Sequence, residues 1–529
     1  MPAADAKAPP RDHVRETLET LVFVVVLVLI LQLFVLEAFV IPTGSMAETQ
    51  LGYHKNVVCQ QCQYGFPVNC SDEVERPSRD TYVYGYKCPN CQNVGMVDWN
   101  GVVSPTGGDR VLVHKAMSAD ERGRVVVFKY PVAPQKKQQA QNYIKRCVGF
   151  GEETIALAYG DLYVTKALKY ADRTRPDDPR DEWQEAFTFP RDPAALALFA
   201  DGKAKGFPAG IDGFELFRKP DELAMAMRRI VSDNDFQPAD LLGKVPPRWA
   251  TRPGEGAGWA AEDAKPAKTF THQGDAIGWI GYRHLVKARD GDNAPQKITN
   301  GMGYNGGLGY GDSDQPARLR SLKSDVGGSE NLWVGDLMLE CAAKLEAGSQ
   351  LTLELSKGEH RYQATFADGR VTLVRTGPGN WPPVTRPTSI GKPGTYQLRF
   401  ANIDCRLRVW VNDTAIDFGA EADYPPTADG KEDHPNNLEA PAGVAAKGTV
   451  AVSGLKLWRD THYTPDFFRS GTTRDTVETY YVHPGHYLCL GDNSAQSSDG
   501  RTWGVVPERL MIGRAVFTFW PRHRIGVIR

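Results

Sequence analysis

The most pronounced pattern in the chain is a nearly unbroken apolar run close to its start. Every residue from Leu21 to Leu36 except Gln32 is apolar, and after Glu37 the run resumes as Ala38-Phe39-Val40-Ile41 before Pro42 stops it. About twenty such residues allow a helix to cross a hydrocarbon core of about 30 Å, and a cleaved export signal has a shorter apolar stretch. The pattern predicts a transmembrane helix over 21–41, preceded by a short polar tail over 1–20. Lys7, Arg11 and Arg15 lie before the span, which favours a cytoplasmic N-terminus with everything after Pro42 on the outer side.

Beyond the span the apolar period drops to two. Arg110-Val111-Leu112-Val113-His114, Arg124-Val125-Val126-Val127-Phe128 and Asn142-Tyr143-Ile144-Lys145-Arg146 read as strands. From about 331 to 460 alternation is clear in Leu351-Thr352-Leu353-Glu354-Leu355, Tyr396-Gln397-Leu398-Arg399-Phe400 and Arg406-Leu407-Arg408-Val409-Trp410-Val411. Each puts apolar side chains on one face, and turn residues separate them, so an antiparallel sandwich is expected. Residues 169–211, rich in Asp, Arg, Pro and Ala, read as a linker. The glycines from Gly301 to Gly311 match no phosphate-binding spacing and read as turns.

The 529 residues exceed one ordinary core and suggest two to four domains. Lys plus Arg number 62 against 64 Asp plus Glu, a balance that offers no broad basic field for nucleic acid. The 9 cysteines include Cys59-x-x-Cys62 and Cys88-x-x-Cys91, the paired-knuckle spacing of a zinc ribbon. Four thiolates would close a tetrahedron and leave no position for chemistry, so the expected zinc is structural. Disulfides are the alternative if the segment lies in an oxidising compartment, and Cys70 could compete.

The candidate chemistry starts at Ser45, in a Pro-Thr-Gly-Ser-Met turn immediately after the apolar run. A serine nucleophile needs a base, and none of the 11 histidines lies in an evident triad motif. A lysine can serve only if its surroundings lower a pKa near 10.4 by roughly 3 units, which burial against apolar side chains achieves. Lys145 is the best candidate, because strand alternation places it on one face with Tyr143 and Cys147.

Taken together, Ser45, the run Tyr143 to Gly149 and the run Gly491 to Arg501, with Gly108-Asp109-Arg110-Val111-Leu112-Val113 and Trp503-Gly504-Val505-Val506-Pro507, resemble the bacterial type I signal peptidase family. The resemblance covers 18–55, 102–168 and 475–529. It implies a Ser/Lys-dyad endopeptidase in which Ser45 attacks the scissile carbonyl and Lys145 accepts its proton. The Ser45 amide and the Thr43 hydroxyl would hold the oxyanion. Ser497 would orient the Lys145 amine, and Asp499 would pair with Arg501 and Arg146. Ile41, Pro42, Met46, Tyr143 and Ile144 would shape shallow apolar pockets suited to Ala-x-Ala cleavage sites. Gln50, in place of an apolar residue, and Gly500, in place of a common serine, depart from the family pattern.

The chain is thus expected to be mainly β. An N-terminal transmembrane helix (21–41) would tether a β-rich catalytic core split into 42–55, 102–168 and 463–529. A zinc-ribbon-like insert over 56–101, with Cys59, Cys62, Cys88 and Cys91 as metal ligands, and a lectin-like or laminin-G-like jelly-roll sandwich over 212–462 would interrupt that core. Exported preproteins and the lipid bilayer are the expected partners, the sandwich having an unknown ligand or protein partner. The expected location is the bacterial cytoplasmic membrane as a single-pass protein, catalytic domain outside. The rival reading is a catalytically silent membrane-tethered binding protein that uses the two inserts to recruit a partner.

Overall fold

A computed structural model describes residues 13–77, 81–97, 103–117, 121–130, 141–170, 191–207, 212–262, 266–286, 294–301, 303–309, 332–379, 381–426, 432–465 and 476–529. The start of the expected polar tail and most of the expected linker lie outside these residues. The described chain is mainly β, as the period-two patterning leads one to expect.

The apolar run near the N-terminus divides into two kinds of structure. A helix spans His13–Phe34 and begins in the polar residues, where Arg15 and Glu19 form an ion pair at 2.7 Å. The chain then leaves the helix, and Leu36–Val40 becomes a strand paired antiparallel with Arg110–His114. The helical part of the apolar run, Leu21 to Phe34, is therefore only about 20 Å long at ~1.5 Å per residue. Among the described residues no helix is long and apolar enough to cross a membrane. The expected transmembrane helix over 21–41 is corrected accordingly, and with it the single-pass location and its orientation. The physical reason is that Leu36 to Val40 satisfy their backbone groups in a sheet rather than by continuing the helix.

That strand opens an eight-stranded sheet. Its order is Leu36–Val40, Arg110–His114, Met511–Trp520, Val125–Tyr130, Gln141–Phe150, His486–Leu490 and Val506–Pro507, with Gly526–Val527 added onto Met511–Trp520. Strands from opposite ends of the sequence are neighbours, so this sheet closes only when the C-terminal segment returns. A four-stranded sheet of Glu215–Leu216, Asp161–Thr165, Thr154–Ala158 and Glu478–Tyr481 continues from it.

Two larger antiparallel sheets occupy the middle of the chain. One centres on Leu337–Leu345, Gly394–Ile403 and Val450–Arg459, the other on Gln350–Lys357, His360–Ala367 and Ala442–Lys447. Alternation aims Leu353, Leu355, Tyr362, Ala364 and Phe366 of one sheet at Leu339, Leu398, Phe400 and Val409 of the other, and all belong to one buried cluster. The same cluster takes in Ala156 and Tyr163, so the sandwich core runs on into the four-stranded sheet.

Leu353 is fully buried in this cluster. Leu353→Ala removes its contacts and leaves a cavity, so it is expected to cost about 2–5 kcal/mol. Urea denaturation followed by tryptophan fluorescence reads this as a lower midpoint; an unchanged midpoint would contradict the shared core.

Candidate active site and cysteine cluster

Ser45 lies in a short 3-10 turn, Gly44–Met46, entered from Thr43 in extended conformation. Met46 is fully buried with Ile41, Val111, Val113, Val125 and Val127, and this apolar anchor fixes the turn against the sheet. Two backbone approaches require glycine. A β-carbon on Gly108 would lie 1.8 Å from the Ile41 carbonyl oxygen, and one on Gly491 would lie 2.4 Å from the Ser45 carbonyl oxygen. The second of these lets the 491–493 segment run beside the turn, where the Asn493 amide donates to Ser45 O at 3.1 Å and Asn493 Nδ2 to Gly44 O at 2.9 Å.

Lys145 comes from the strand Gln141–Phe150, in register with Val126. Alternation gives its face Tyr143 and Cys147, which pack with Phe128, Cys489 and Trp503. Lys145 is 2% exposed, and its Nζ lies 2.6 Å from Ser45 Oγ and 3.1 Å from the Ile144 carbonyl oxygen. Burial is the largest influence on the amine and draws its pKa down from 10.5 to about 8, against the opposing pull of Asp499, Cys489 and Asp492.

The other expected site residues are placed as follows. Thr43 is exposed two residues before Ser45, while Pro42, Tyr143 and Ile144 are half-buried beside it. Ile41 and Met46 are fully buried core. Asp499 pairs with Arg501 as expected, through Nε–Oδ1 at 2.8 Å and Nη2–Oδ2 at 2.6 Å. Burial pushes the Asp499 carboxyl up, but Arg501 and the Gly491 and Arg501 amides outweigh it and hold it below the usual carboxylate range.

Two expected contacts differ. Arg146 pairs with Asp492 rather than Asp499, through Nε–Oδ1 at 2.7 Å and Nη2–Oδ2 at 2.5 Å, both residues being buried. Alternation explains this, because Arg146 faces away from the Lys145 side of the strand. Ser497 does not bond Lys145; its Oγ is buried with no hydrogen-bond partner among the described residues, while the amine is taken up by Ser45 and Ile144.

Several residues given no individual role by the sequence hold the turn. Asp109, fully buried, accepts from the Leu51 amide at 2.8 Å and from Arg524 Nε at 2.9 Å, and Arg524 Nη2 donates to the Thr49 carbonyl at 2.9 Å. Arg229 Nη2 donates to Ala47 O at 2.9 Å. The glycine-rich segment read as turns also reaches the site: Asn305 and Asn493 exchange side-chain amide bonds at 2.5 and 2.7 Å, and Tyr304 packs against Gly44.

The Sγ atoms of Cys59, Cys62, Cys88 and Cys91 are buried and all lie within 4.8 Å of one another. Cys59 to Cys91 and Cys62 to Cys88 are each 3.6 Å apart, well beyond a disulfide bond of about 2.05 Å. All nine cysteines are free thiols. A tetrahedral ion with bonds of about 2.3 Å to sulfur has edges of about 3.8 Å, so the donor set fits a metal. Asn90, inside the second knuckle and fully buried, ties the cluster to the middle of the chain through Phe236 O at 2.6 Å and the Asp233 amide at 2.7 Å. The strand Gly307–Gly309 pairs with Val83–Lys87 beside it.

The sequence profile of the family described as signal peptidase, peptidase S26, matches residues 14–195 and 405–520. The chain is 34% identical over 83 residues to the probable signal peptidase I-2 of Synechocystis sp., which is 16% of this chain and 35% of that protein. It is 30% identical over 142 residues to the signal peptidase I of Streptococcus pneumoniae, 26% of this chain and 61% of that protein. The first relatives are thus matched over about a third of their length. Among solved structures, a carbohydrate binding module, CBM66, from Bacillus subtilis matches 40% of this chain and 94% of its own with a TM-score of 0.23 and 13% identity.

Removing one partner of a buried ion pair strands the other, so Asp492→Ala is expected to destabilise by about 3–5 kcal/mol, whereas the apolar pair Arg146→Met with Asp492→Leu recovers most of it. Chemical denaturation of the two variants checks this; equal loss in the single and the double variant would contradict it.

Proposed function

Because this chain belongs to the signal peptidase family, peptidase S26, and is a serine endopeptidase of it, we propose that it removes N-terminal signal peptides from exported preproteins with Ser45 as nucleophile and Lys145 as general base. The observation that carries the proposal is the 2.6 Å approach of a buried amine to a serine hydroxyl.

With the amine neutral, the Ser45 hydroxyl donates its hydrogen bond to the Lys145 lone pair. As Oγ attacks the scissile carbonyl, its proton passes to Nζ, and the resulting ammonium protonates the leaving amine. A water entering the vacated position is deprotonated by the same amine and releases the acyl group from Ser45. The Ser45 amide and the Thr43 hydroxyl stabilise the oxyanion. Pro42, Tyr143 and Ile144 are the half-buried apolar surface beside the nucleophile, which suits small side chains on the acyl side of the cut, as in Ala-x-Ala sites. Asp499, held ionised by Arg501 and bonded to the Gly491 amide at 2.9 Å, keeps the loop behind Lys145 in place.

The four cysteines are proposed to hold a structural zinc, which supplies a fixed tetrahedral cross-link and no open position. Its effect on the reaction is indirect: the cluster anchors Val83–Lys87, whose partner strand Gly307–Gly309 follows directly on Tyr304 and Asn305 at the nucleophile turn.

Ser45→Ala and Lys145→Met are each expected to lower preprotein cleavage by at least about a thousandfold, with circular dichroism unchanged. Cleavage retained in both would sink the dyad. For the wild type, kcat/KM should rise with pH and level off above about 8, because the base must lose its proton first; a plateau reached by pH 6 would count against Lys145. Metal analysis should find one zinc per chain, and Cys62→Ser should lose it together with most activity. A zinc-free protein of full activity would contradict the cross-link.

A further inference from the structure

A cavity of about 460 Å³ lies between the cysteine-bearing segment and the large sheets, outside the Ser45–Lys145 site. Two arginines form its floor. Arg229 and Arg459 sit directly opposite each other on antiparallel strands, so their side chains emerge on the same face. Like charges in that position repel each other and weaken a sheet. Burial and the neighbouring Arg229 guanidinium draw the Arg459 pKa down to about 10.

Glu48 and Asp460 oppose that shift without reversing it. Arg229 donates to the carbonyls of Ala47, Arg228 and Asp492, and Arg459 to those of Asn300, Gly301 and Asp460. Among the described residues neither forms an ion pair with a carboxylate. Among the described residues Glu48 is the one acid in the lining, and of the two lysines there Lys297 is matched by Glu432 at 3.2 Å and Asp433 at 2.7 Å. His284 is driven to a pKa of about 3, chiefly by burial, and is neutral. Gln92, Asn93, Gln296 and Thr299 supply amide and hydroxyl groups around the walls. A volume of this size suits a small ligand, and planar guanidiniums suit carboxylate or phosphate oxygens.

We propose that this cavity binds a small, hydroxyl-bearing anion through its carboxylate or phosphate group, with Arg229 and Arg459 as the charge-recognising pair. The ligand's charge relieves the repulsion between the two guanidiniums, while the amides and Thr299 bond its hydroxyls. The site stands apart from peptide cleavage, although Arg229 also holds Ala47, two residues beyond Ser45.

Titration calorimetry on the full chain with D-glucuronate, inorganic phosphate and uncharged D-glucose tests this. At least one anion should bind about tenfold or more tightly than glucose, and the tighter of the two anions tells a sugar acid from a phosphate. Gln296 is exposed at the rim, so Gln296→Glu adds one charge without disturbing the core and should weaken the anion about tenfold. Arg459→Gln should do the same, and the exposed rim variant keeps the test valid if Arg459→Gln folds poorly. No heat from either anion, glucose binding equal to the anions, or unchanged anion affinity in Gln296→Glu would overturn the proposal.

Discussion

A charged lysine and a serine hydroxyl can both be left in water at no cost, and there they do nothing together. The arrangement around Ser45 depends on denying water to one amine. Lys145 is confined by Tyr143, Cys147, Phe128, Cys489 and Trp503 on its face of the strand, and desolvation outweighs the attraction of two nearby carboxylates and brings the pKa of the amine down to about 8, so that a fraction of it is neutral at physiological pH. The surrounding ion pairs keep those carboxylates occupied: Asp499 faces Arg501 and Asp492 faces Arg146. Were either acid left unpaired beside Lys145, its charge would hold the proton on the amine.

Geometry imposes the second demand, since a neutral amine is useful only at hydrogen-bond distance from the hydroxyl. The Ser45 turn is only three residues long and is held from several directions. Met46 and Ile41 plug it into the sheet, Asn493 binds its carbonyls, Arg524 and Asp109 fix the segment that follows, and Arg229 reaches Ala47. One of these supports, Arg229, comes from the middle of the chain, outside the segments that match the signal peptidase family. The large sheets and the cysteine cluster are therefore part of the scaffold that positions the turn, stitched together by Asn90 and by the Gly307–Gly309 strand.

How much of this could be read from sequence follows from the range of each interaction. Strand alternation placed Lys145 on an apolar face, and the local chemistry of a serine without a histidine partner pointed to it. The two Cys-x-x-Cys pairs announced their cluster by spacing alone, and the alternating runs after residue 331 announced the two sheets. What escaped was non-local. Arg146 and Asp492 meet across a separation of 346 positions, and nothing near either one distinguishes Asp492 from Asp499 as the partner. Gly303–Asn305 looked like featureless turns because its meaning lies in what it docks against. The apolar run reads wholly as a spanning helix because hydrophobicity does not show where a helix yields to a strand; that boundary is set by the pairing of Leu36–Val40 with Arg110–His114.

The most direct test of the account is to observe the amine itself. In protein carrying ¹³C-labelled lysine, the Lys145 ε-carbon resonance, assigned by its absence in Lys145→Met, can be followed by NMR as pH is raised. A midpoint close to 8, with exposed lysines titrating near 10.4, is the predicted result. An ε-carbon that titrates alongside those exposed lysines would show a hydrated ammonium, and the account of Ser45 and Lys145 as a working pair would be contradicted.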